Sequence, residues 1–291
     1  MSTHGAALRL RPKRRRQLVD SSLTVLTYVL VGLMLAPIAW LLIASVQSRL
    51  SLATGEYDLL SPTFEAYRTM WGAVDFGRYF KNSLIICSVA TLLATTFAAS
   101  AGYALSRYRF RGSGTFGLAV LGTQLVPGSM FLLPLFLGFV WADRTIGIQL
   151  FDTYKGMILV YTAFFTPLAI YLMRAYFMAI PRELEEAALV DGCTRLGAFV
   201  RVVLPNATPG IIATAVYAFL FAWDELLFAS NLTQSHAETI PIGIRNFIGN
   251  YNQNYDQLMA AGVVSTIPVM IAFFATQRWL VSGLTSGAVK E

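Results

Sequence analysis

The chain has 291 residues, of which 56% are hydrophobic and only 13% are charged, and its net charge is +6. Because an ordinary globular protein carries about 25% charged residues, a soluble domain could not hide this much apolar surface. The mean hydropathy of +0.58 therefore indicates an integral membrane protein. A disordered chain, a secreted disulfide scaffold and a soluble enzyme are excluded.

Long segments with few charges predict six transmembrane helices. A span needs about 20 mostly apolar residues to cross a hydrocarbon core of about 30 Å. Six segments meet this need: 22–46, 83–105, 116–141, 156–173, 209–230 and 259–280. They are continuous apolar runs and not the alternating segments of about 10 residues that build barrels. The predicted fold class is all-α.

Interior prolines interrupt three of the predicted spans. Pro127 and Pro134 lie in the third, Pro167 in the fourth and Pro268 in the sixth. Interior prolines free carbonyl groups that a packed bundle or a water-lined cavity must satisfy. This pattern suits a moving transporter, and it suits a rigid membrane enzyme almost as well.

The basic residues predict the orientation in the membrane. Fifteen of the 22 Lys and Arg residues lie before the first span, at the end of the sixth or beyond it, or in the second and fourth connections. The richer side is expected to be cytoplasmic, which places both termini inside. Residues 1–21 form a basic cytoplasmic N-terminus, for which attraction to anionic lipid is favoured over a nucleic-acid arm. We interpret 22–46 as an uncleaved span, since it is longer than the apolar region of a signal peptide.

Two external connections are long enough to be structured. The connection from Gln47 to Asn82 is rich in aromatic residues, which fit an interfacial belt or a docking face for an external partner. The external loop 231–258 is polar and rich in amides. The tail 281–291 is predicted to be cytoplasmic.

The cytoplasmic connection 174–208 predicts a helix–turn–helix outside the membrane. Pro181 suits a first helical turn, and Glu183, Glu185 and Glu186 follow near the positive N-terminal end of the helix. Gly192 can adopt the left-handed conformation that closes a helix.

A second short helix is predicted to follow this turn. Thr194 is a plausible cap for its start. Pro205 is expected to stop it before the fifth span.

The spacing of this connection resembles the EAA loop of ABC importer permeases. Glu186-Ala187-Ala188 is followed after three residues by Gly192, and after nine more by Val202-Val203-Leu204-Pro205. Cys193 departs mildly from the pattern, since the sugar branch usually has alanine there.

Three further segments are similar to the sugar-importer branch, in particular the maltose-type inner permease. Asn82-Ser83 opens the second span, and Ala222-Trp223-Asp224-Glu225 resembles a Trp-Asn-Asp/Glu stretch in which Asp224 replaces Asn. The tail from Gly283 to Lys290 resembles that branch's ending. The resemblance covers the chain after about Ser22, with a type-1 transmembrane domain at about 78–280.

The resemblance implies a type I ABC importer permease in the bacterial cytoplasmic (inner) membrane. It implies four partners besides lipid: a second permease forming a heterodimer, two ATPase subunits and an extracytoplasmic solute-binding protein. No nucleic acid is expected. The ATPase-coupling residues are Glu186, Ala187, Ala188, Asp191, Gly192, Leu204 and Pro205. The competing interpretation is an amphipathic connector on the lipid surface, although three Glu residues would be repelled by anionic lipid.

Four residues are candidates for the pathway or a gate: Asn82, Trp223, Asp224 and Glu225. Ionisable residues within a span usually face a cavity or a partner. Because adjacent helical residues diverge by about 100°, one carboxylate is expected to line the pathway while the other bonds a neighbouring helix. Pure helix packing is the alternative for the pair.

Three classes of function are compatible with a helical membrane protein of this kind. The leading one is an importer permease for a sugar or sugar-like solute. The chain has no Gly-rich ATP loop, so the partner subunits are expected to use ATP and Mg²⁺. No cofactor bound by this chain is expected. The second is an ion- or proton-coupled transporter using Asp224 and Glu225. The third, an intramembrane enzyme, lacks a nucleophile–base pair. Cys87 and Cys193 are not expected to pair, and no metal-ligand spacing occurs.

Overall fold

The computed structural model describes residues 12–58, 61–108, 110–248 and 254–288. Parts of the predicted N-terminus, external loop and tail lie outside the described residues. The helices in chain order are α1 (Pro12–Ser45), α2 (Arg49–Thr54), α3 (Glu65–Ala73), α4 (Phe76–Arg107), α5 (Ser113–Gly122), α6 (Leu132–Ile146), α7 (Tyr154–Ala179), α8 (Arg182–Val190), α9 (Arg195–Ala198), α10 (Leu204–Asn206), α11 (Thr208–Trp223), α12 (Leu227–Leu232), α13 (Ile240–Asn246) and α14 (Tyr255–Ala288).

Within the described part of the chain, five helical segments are long and apolar enough to cross a membrane: 21–45, 76–107, 128–146, 154–179 and 255–279. A bent pair, Arg195–Asn206 and Thr208–Trp223, makes a sixth if it is counted as one span. The all-α membrane fold is confirmed.

The third and fifth predicted spans are not continuous helices, which corrects the expected segments. The region 116–141 breaks at Pro127 between two 3₁₀ turns, and its spanning helix runs from Gly128 to Ile146. Proline lacks an N–H and clashes with the preceding turn. Yet α7 and α14 continue through Pro167 and Pro268. The region 209–230 breaks after Trp223.

Helix α4 lies at the centre of the bundle and packs most closely on α7. It also contacts α3, α11 and α13, whereas α1 packs against α14. Four small buried residues occur at intervals of four along α4: Ala90, Ala94, Ala98 and Gly102. Residues four apart share one helix face, and small side chains let two helix backbones approach. This stripe explains the close pairing of α4 and α7.

Gly102 lies where α4 approaches the backbone of α7 closely, and we expect its replacement by Ala to destabilise the protein. An added Cβ would lie 2.9 Å from the backbone nitrogen of Arg174 and 2.9 Å from Met173 Cβ. Overpacking of this kind costs about 1–3 kcal/mol, which thermal unfolding in detergent measures. The matched control is Gly138→Ala in α6, where an added Cβ meets nothing within 4 Å. Equal stability of the two variants would contradict the close approach.

Candidate coupling and pathway sites

Helix α8, called here the EAA helix, is closed by a left-handed glycine as the sequence predicts. Gly192 has φ +86°. Its N–H donates to the Leu189 carbonyl at 3.1 Å, and the Cys193 N–H donates to the Ala188 carbonyl at 3.0 Å. These two bonds form a Schellman closure, which fixes the direction in which the chain leaves the helix.

The second short helix begins as predicted, but its end differs. Thr194 Oγ1 accepts a hydrogen bond from the Gly197 N–H at 3.1 Å, so the predicted cap is confirmed. Pro205 does not stop the helix, which is a correction: helical structure continues to Asn206 and turns by 75° at Ala207. A π-helical turn at Phe199–Val203 precedes Pro205. Pro205 lies in the first turn of α10, where its missing N–H is tolerated.

The predicted coupling residues divide between the surface and the interior. Ala188 is buried and Leu204 is half-buried. The exposed members are Glu186, Ala187, Asp191, Gly192 and Pro205.

Two large apolar residues that the sequence analysis did not name flank this turn. The exposed fractions of Val190 and Leu196 are 87% and 71%. The sequence could have indicated them, because they are large apolar residues on either side of Gly192 in an otherwise charged connection. The surface therefore combines carboxylates with apolar side chains, as a helix that docks in a groove does.

Glu185, next to Glu186, points inward and was missed as a site residue. Its carboxylate accepts a hydrogen bond from the Tyr103 hydroxyl. Its Oε2 lies 3.1 Å from Nε of Arg107. We call these three residues the Glu185 clasp, which joins the EAA helix to the end of α4. In the sequence, Arg107 was only one of the basic residues of the second connection that predict the orientation in the membrane.

The pair Asp224–Glu225 lies in a helix break, which corrects the expectation of two adjacent residues on one continuous helix. Helix α11 ends at Trp223 and α12 begins at Leu227. The Glu225 carboxylate accepts hydrogen bonds from the N–H groups of Phe228 at 2.8 Å and Ala229 at 3.1 Å. Glu225 therefore satisfies the free N–H groups at the start of α12.

Asp224 is exposed and lines two open cavities. The larger, of about 580 Å³, is also lined by Trp223, Ser265 and Thr266. The smaller, of about 480 Å³, is also lined by Phe165, Glu225 and Leu227. Trp223 is mostly buried, and its Nε1 donates to the Ser265 carbonyl at 3.1 Å. Asp224 thus borders both cavities, whereas Glu225 borders the smaller one and also accepts hydrogen bonds from the backbone of α12.

Asn82 is held by buried hydrogen bonds in this conformation, and its assignment to the pathway stays a prediction. Its side chain is fully buried. The Nδ2 group donates to the carbonyls of His236 and Glu238, each at 2.8 Å, and Oδ1 accepts from the Tyr154 hydroxyl. Asn82 joins α4, the start of α7 and the loop before α13, because its side-chain amide offers two N–H donors and a carbonyl acceptor.

Asp152, between α6 and α7, anchors the same loop and was not anticipated. Its carboxylate accepts hydrogen bonds from the backbone N–H groups of residues 234–237. Burial acts to raise the pKa of Asp152, but these hydrogen bonds outweigh it, and the pKa is lowered. Asp152 adopts a positive φ of 54° to reach them.

We expect Asp152→Asn to loosen residues 234–237 and to remove the pH dependence of their protection from hydrogen exchange. A depressed folded-state pKa stabilises the fold above the unfolded value of about 4, and this stabilisation is lost as pH falls through the folded value. Hydrogen exchange of these amides, corrected for intrinsic rates, should show protection that falls in the wild type upon acidification below about pH 4. In the variant, protection should be low throughout. Asp143→Asn, at an exposed position of α6, is the control. An Asp152→Asn variant that follows the wild-type profile would contradict the anchoring role of Asp152.

Comparison with known proteins decides the class of transporter. Residues 94–286 match the family described as binding-protein-dependent transport system inner membrane component. The chain belongs to this family. It is therefore a multi-pass inner-membrane permease, as the EAA-loop resemblance implied.

Named relatives match this permease over nearly its whole length. It is 37% identical to the trehalose transport system permease protein SugB of Mycobacterium tuberculosis, over 91% of this chain and 96% of that protein. It is 31% identical to the trehalose/maltose transport system permease protein MalG of Thermococcus litoralis, over 95% and 99%.

A solved structure has the same fold as the permease. A chain of a bacterial ABC transporter involved in import of the acidic polysaccharide alginate superimposes with a TM-score of 0.75 at 24% identity, covering 94% of this chain and all of that one. The type I permease architecture is thereby confirmed.

Membership of this family also bears on two interpretations of the sequence, that the chain is not an enzyme and that an ion-coupled transporter is the alternative. The expectation that the permease is not itself an enzyme is confirmed. An ion-coupled transporter has no support. Among the described residues, no group of three or more His, Cys, Asp and Glu is placed to hold a metal ion.

Proposed function

We propose that this permease imports a sugar or sugar-like solute as one subunit of an ATP-driven complex. The two named relatives are permeases of trehalose and trehalose/maltose systems. The complex would contain a second permease, two ATPase subunits that use ATP and Mg²⁺, and an extracytoplasmic solute-binding protein. The permease itself would bind no nucleotide.

The exposed surface of the EAA helix and α9 carries this proposal. Val190 and Leu196 are too exposed to stabilise the single chain, so their burial requires a partner. Glu186 and Asp191 lie beside them and can meet basic residues at the edge of a groove. We infer that this surface seats in the ATPase.

The orientation follows from the same proposal. The ATPase-facing end, which includes the EAA helix and the turn at Gly112, is cytoplasmic, and the turns at Gly55 and Gly147 lie outside. Reporter fusions at these three glycines test it, and one reversed reporter would overturn the orientation.

Asp224 is the proposed solute-facing residue of the pathway. An exposed carboxylate beside hydroxyl groups and an indole edge suits the hydroxyl groups and apolar faces of a sugar.

Reconstitution tests the proposed function. The permease, co-expressed with its partner subunits and reconstituted in liposomes, should take up labelled trehalose or maltose only with the binding protein outside and ATP inside. Labelled methionine is the control solute. Uptake driven by a pH gradient without ATP would overturn the proposal.

A further inference from the structure

The Glu185 clasp places a charged pair in a largely dry environment at the junction of two elements. The side chains of Arg107 and Glu185 are only 6% and 13% exposed. The Arg107 Nε–H makes no hydrogen bond to any described residue, so its contact with Glu185 is an electrostatic one. The Tyr103 hydroxyl supplies the directed hydrogen bond on the other carboxylate oxygen.

Two further contacts hold the end of α4 against the segment that leads into the EAA helix. An Arg107 guanidinium nitrogen donates to the Ile180 carbonyl at 2.9 Å. An Arg182 guanidinium nitrogen donates to the Ser106 carbonyl at 3.3 Å. Arg107 therefore contacts residues on both sides of Pro181, where the chain passes from α7 into the EAA helix.

The clasp borders a small cavity that is also lined by Glu186, which belongs to the proposed ATPase-facing surface. The cavity measures about 180 Å³ and is lined by Arg107, Tyr108, Arg182, Glu185, Glu186, Leu189 and Arg195. Glu186, at the surface, and Glu185, in the clasp, share this cavity. Because the two residues are neighbours in the EAA helix, a displacement of the outer residue is passed directly to the inner one.

We propose that the Glu185 clasp makes α4 move together with the EAA helix, so that Glu185, Arg107 and Tyr103 are positioning residues for transport. Separating two buried opposite charges leaves each unpaired in a low dielectric, which is strongly unfavourable. Helix α4 must therefore follow the EAA helix. This inference rests on the proposed function, because the EAA helix moves only if an ATPase moves it.

The far end of α4 has the contacts needed to deliver that motion. Asn82 holds the carbonyls of His236 and Glu238, and Ser83 Oγ accepts from the Ile240 N–H at 2.8 Å. From Asn82 to Arg107 the helix rises about 38 Å at 1.5 Å per residue. One rigid helix thus links the EAA helix to the loop before α13.

The test separates coupling from docking. Glu185→Gln, Arg107→Gln and the mild Tyr103→Phe are each purified with the partner subunits. Retention of the ATPase, basal ATP hydrolysis and stimulation by solute-loaded binding protein are then measured. Glu183→Gln is the control, since Glu183 lies exposed in the same first turn.

We expect ATPase retention and basal hydrolysis to stay within about twofold in all variants, because none of them changes Glu186, Val190, Asp191 or Leu196 of the docking surface. Stimulation should fall about fivefold or more in Glu185→Gln and Arg107→Gln, the usual lower size of a coupling between sites, and less in Tyr103→Phe. The double exchange Arg107→Glu with Glu185→Arg should recover stimulation relative to either of its single exchanges.

Three results would overturn the clasp. They are stimulation in Glu185→Gln equal to that in Glu183→Gln, loss of stimulation only in proportion to lost ATPase, and no recovery in the double exchange. If the glutamine variants fail to fold, Tyr103→Phe decides, because it keeps the ring and removes only the hydroxyl. Absence of stimulation in the wild type would instead overturn the proposed function.

Discussion

Gly192→Val is expected to release the ATPase subunits from the permease. Gly192 has φ +86°, and an added Cβ there meets nothing within 4 Å, so the expected defect is conformational and not steric. A non-glycine residue in the left-handed region costs of the order of 1–3 kcal/mol, and β-branched residues tolerate it worst. Retention of the ATPase in a pull-down should fall about tenfold or more, since about 1.4 kcal/mol is a factor of ten.

The matched variant Gly192→Asn should retain most of the ATPase, because asparagine enters the left-handed region more readily than other side chains. Both variants add a side chain into the same open space, so they differ in backbone preference. Equal retention by the Val and Asn variants would show that the Schellman closure does not orient the docking surface.

Replacing Asp224 by Ala should lower solute uptake, whereas replacing Glu225 by Ala should lower the stability of the fold. Asp224→Ala removes an exposed carboxylate from the cavities, so solute uptake should fall by about tenfold, equivalent to one charge-assisted hydrogen bond of about 1.5 kcal/mol. The complex should still purify intact.

Glu225→Ala removes the acceptor for the Phe228 and Ala229 N–H groups. Loss of such a cap costs about 0.5–2 kcal/mol, so thermal unfolding should shift to lower temperature. Measuring uptake and unfolding on both variants separates the roles. An Asp224→Ala variant with normal uptake, or a Glu225→Ala variant with unchanged stability, would contradict the assignment.

Some of the site could be predicted because it depends on neighbouring residues only. The left-handed Gly192 and the Thr194 cap are local backbone chemistry: each involves partners within five residues. The break after Trp223 was not predictable in this way, because no Pro or Gly occurs at 224–226. It is stabilised by a side chain that caps α12, and the apolar run 209–230 concealed it.

The sequence by itself determined the membrane class, the family and the local shape of the EAA helix. Composition, hydropathy and short-range turn chemistry act without reference to distant residues. Only the tertiary structure decided which of Glu185 and Glu186 turns inward, that Asn82 is buried, and that Asp152 binds N–H groups more than 80 residues away. These outcomes depend on which distant donors packing brings within about 3 Å, a distance set by helix packing and not by the spacing of residues along the chain.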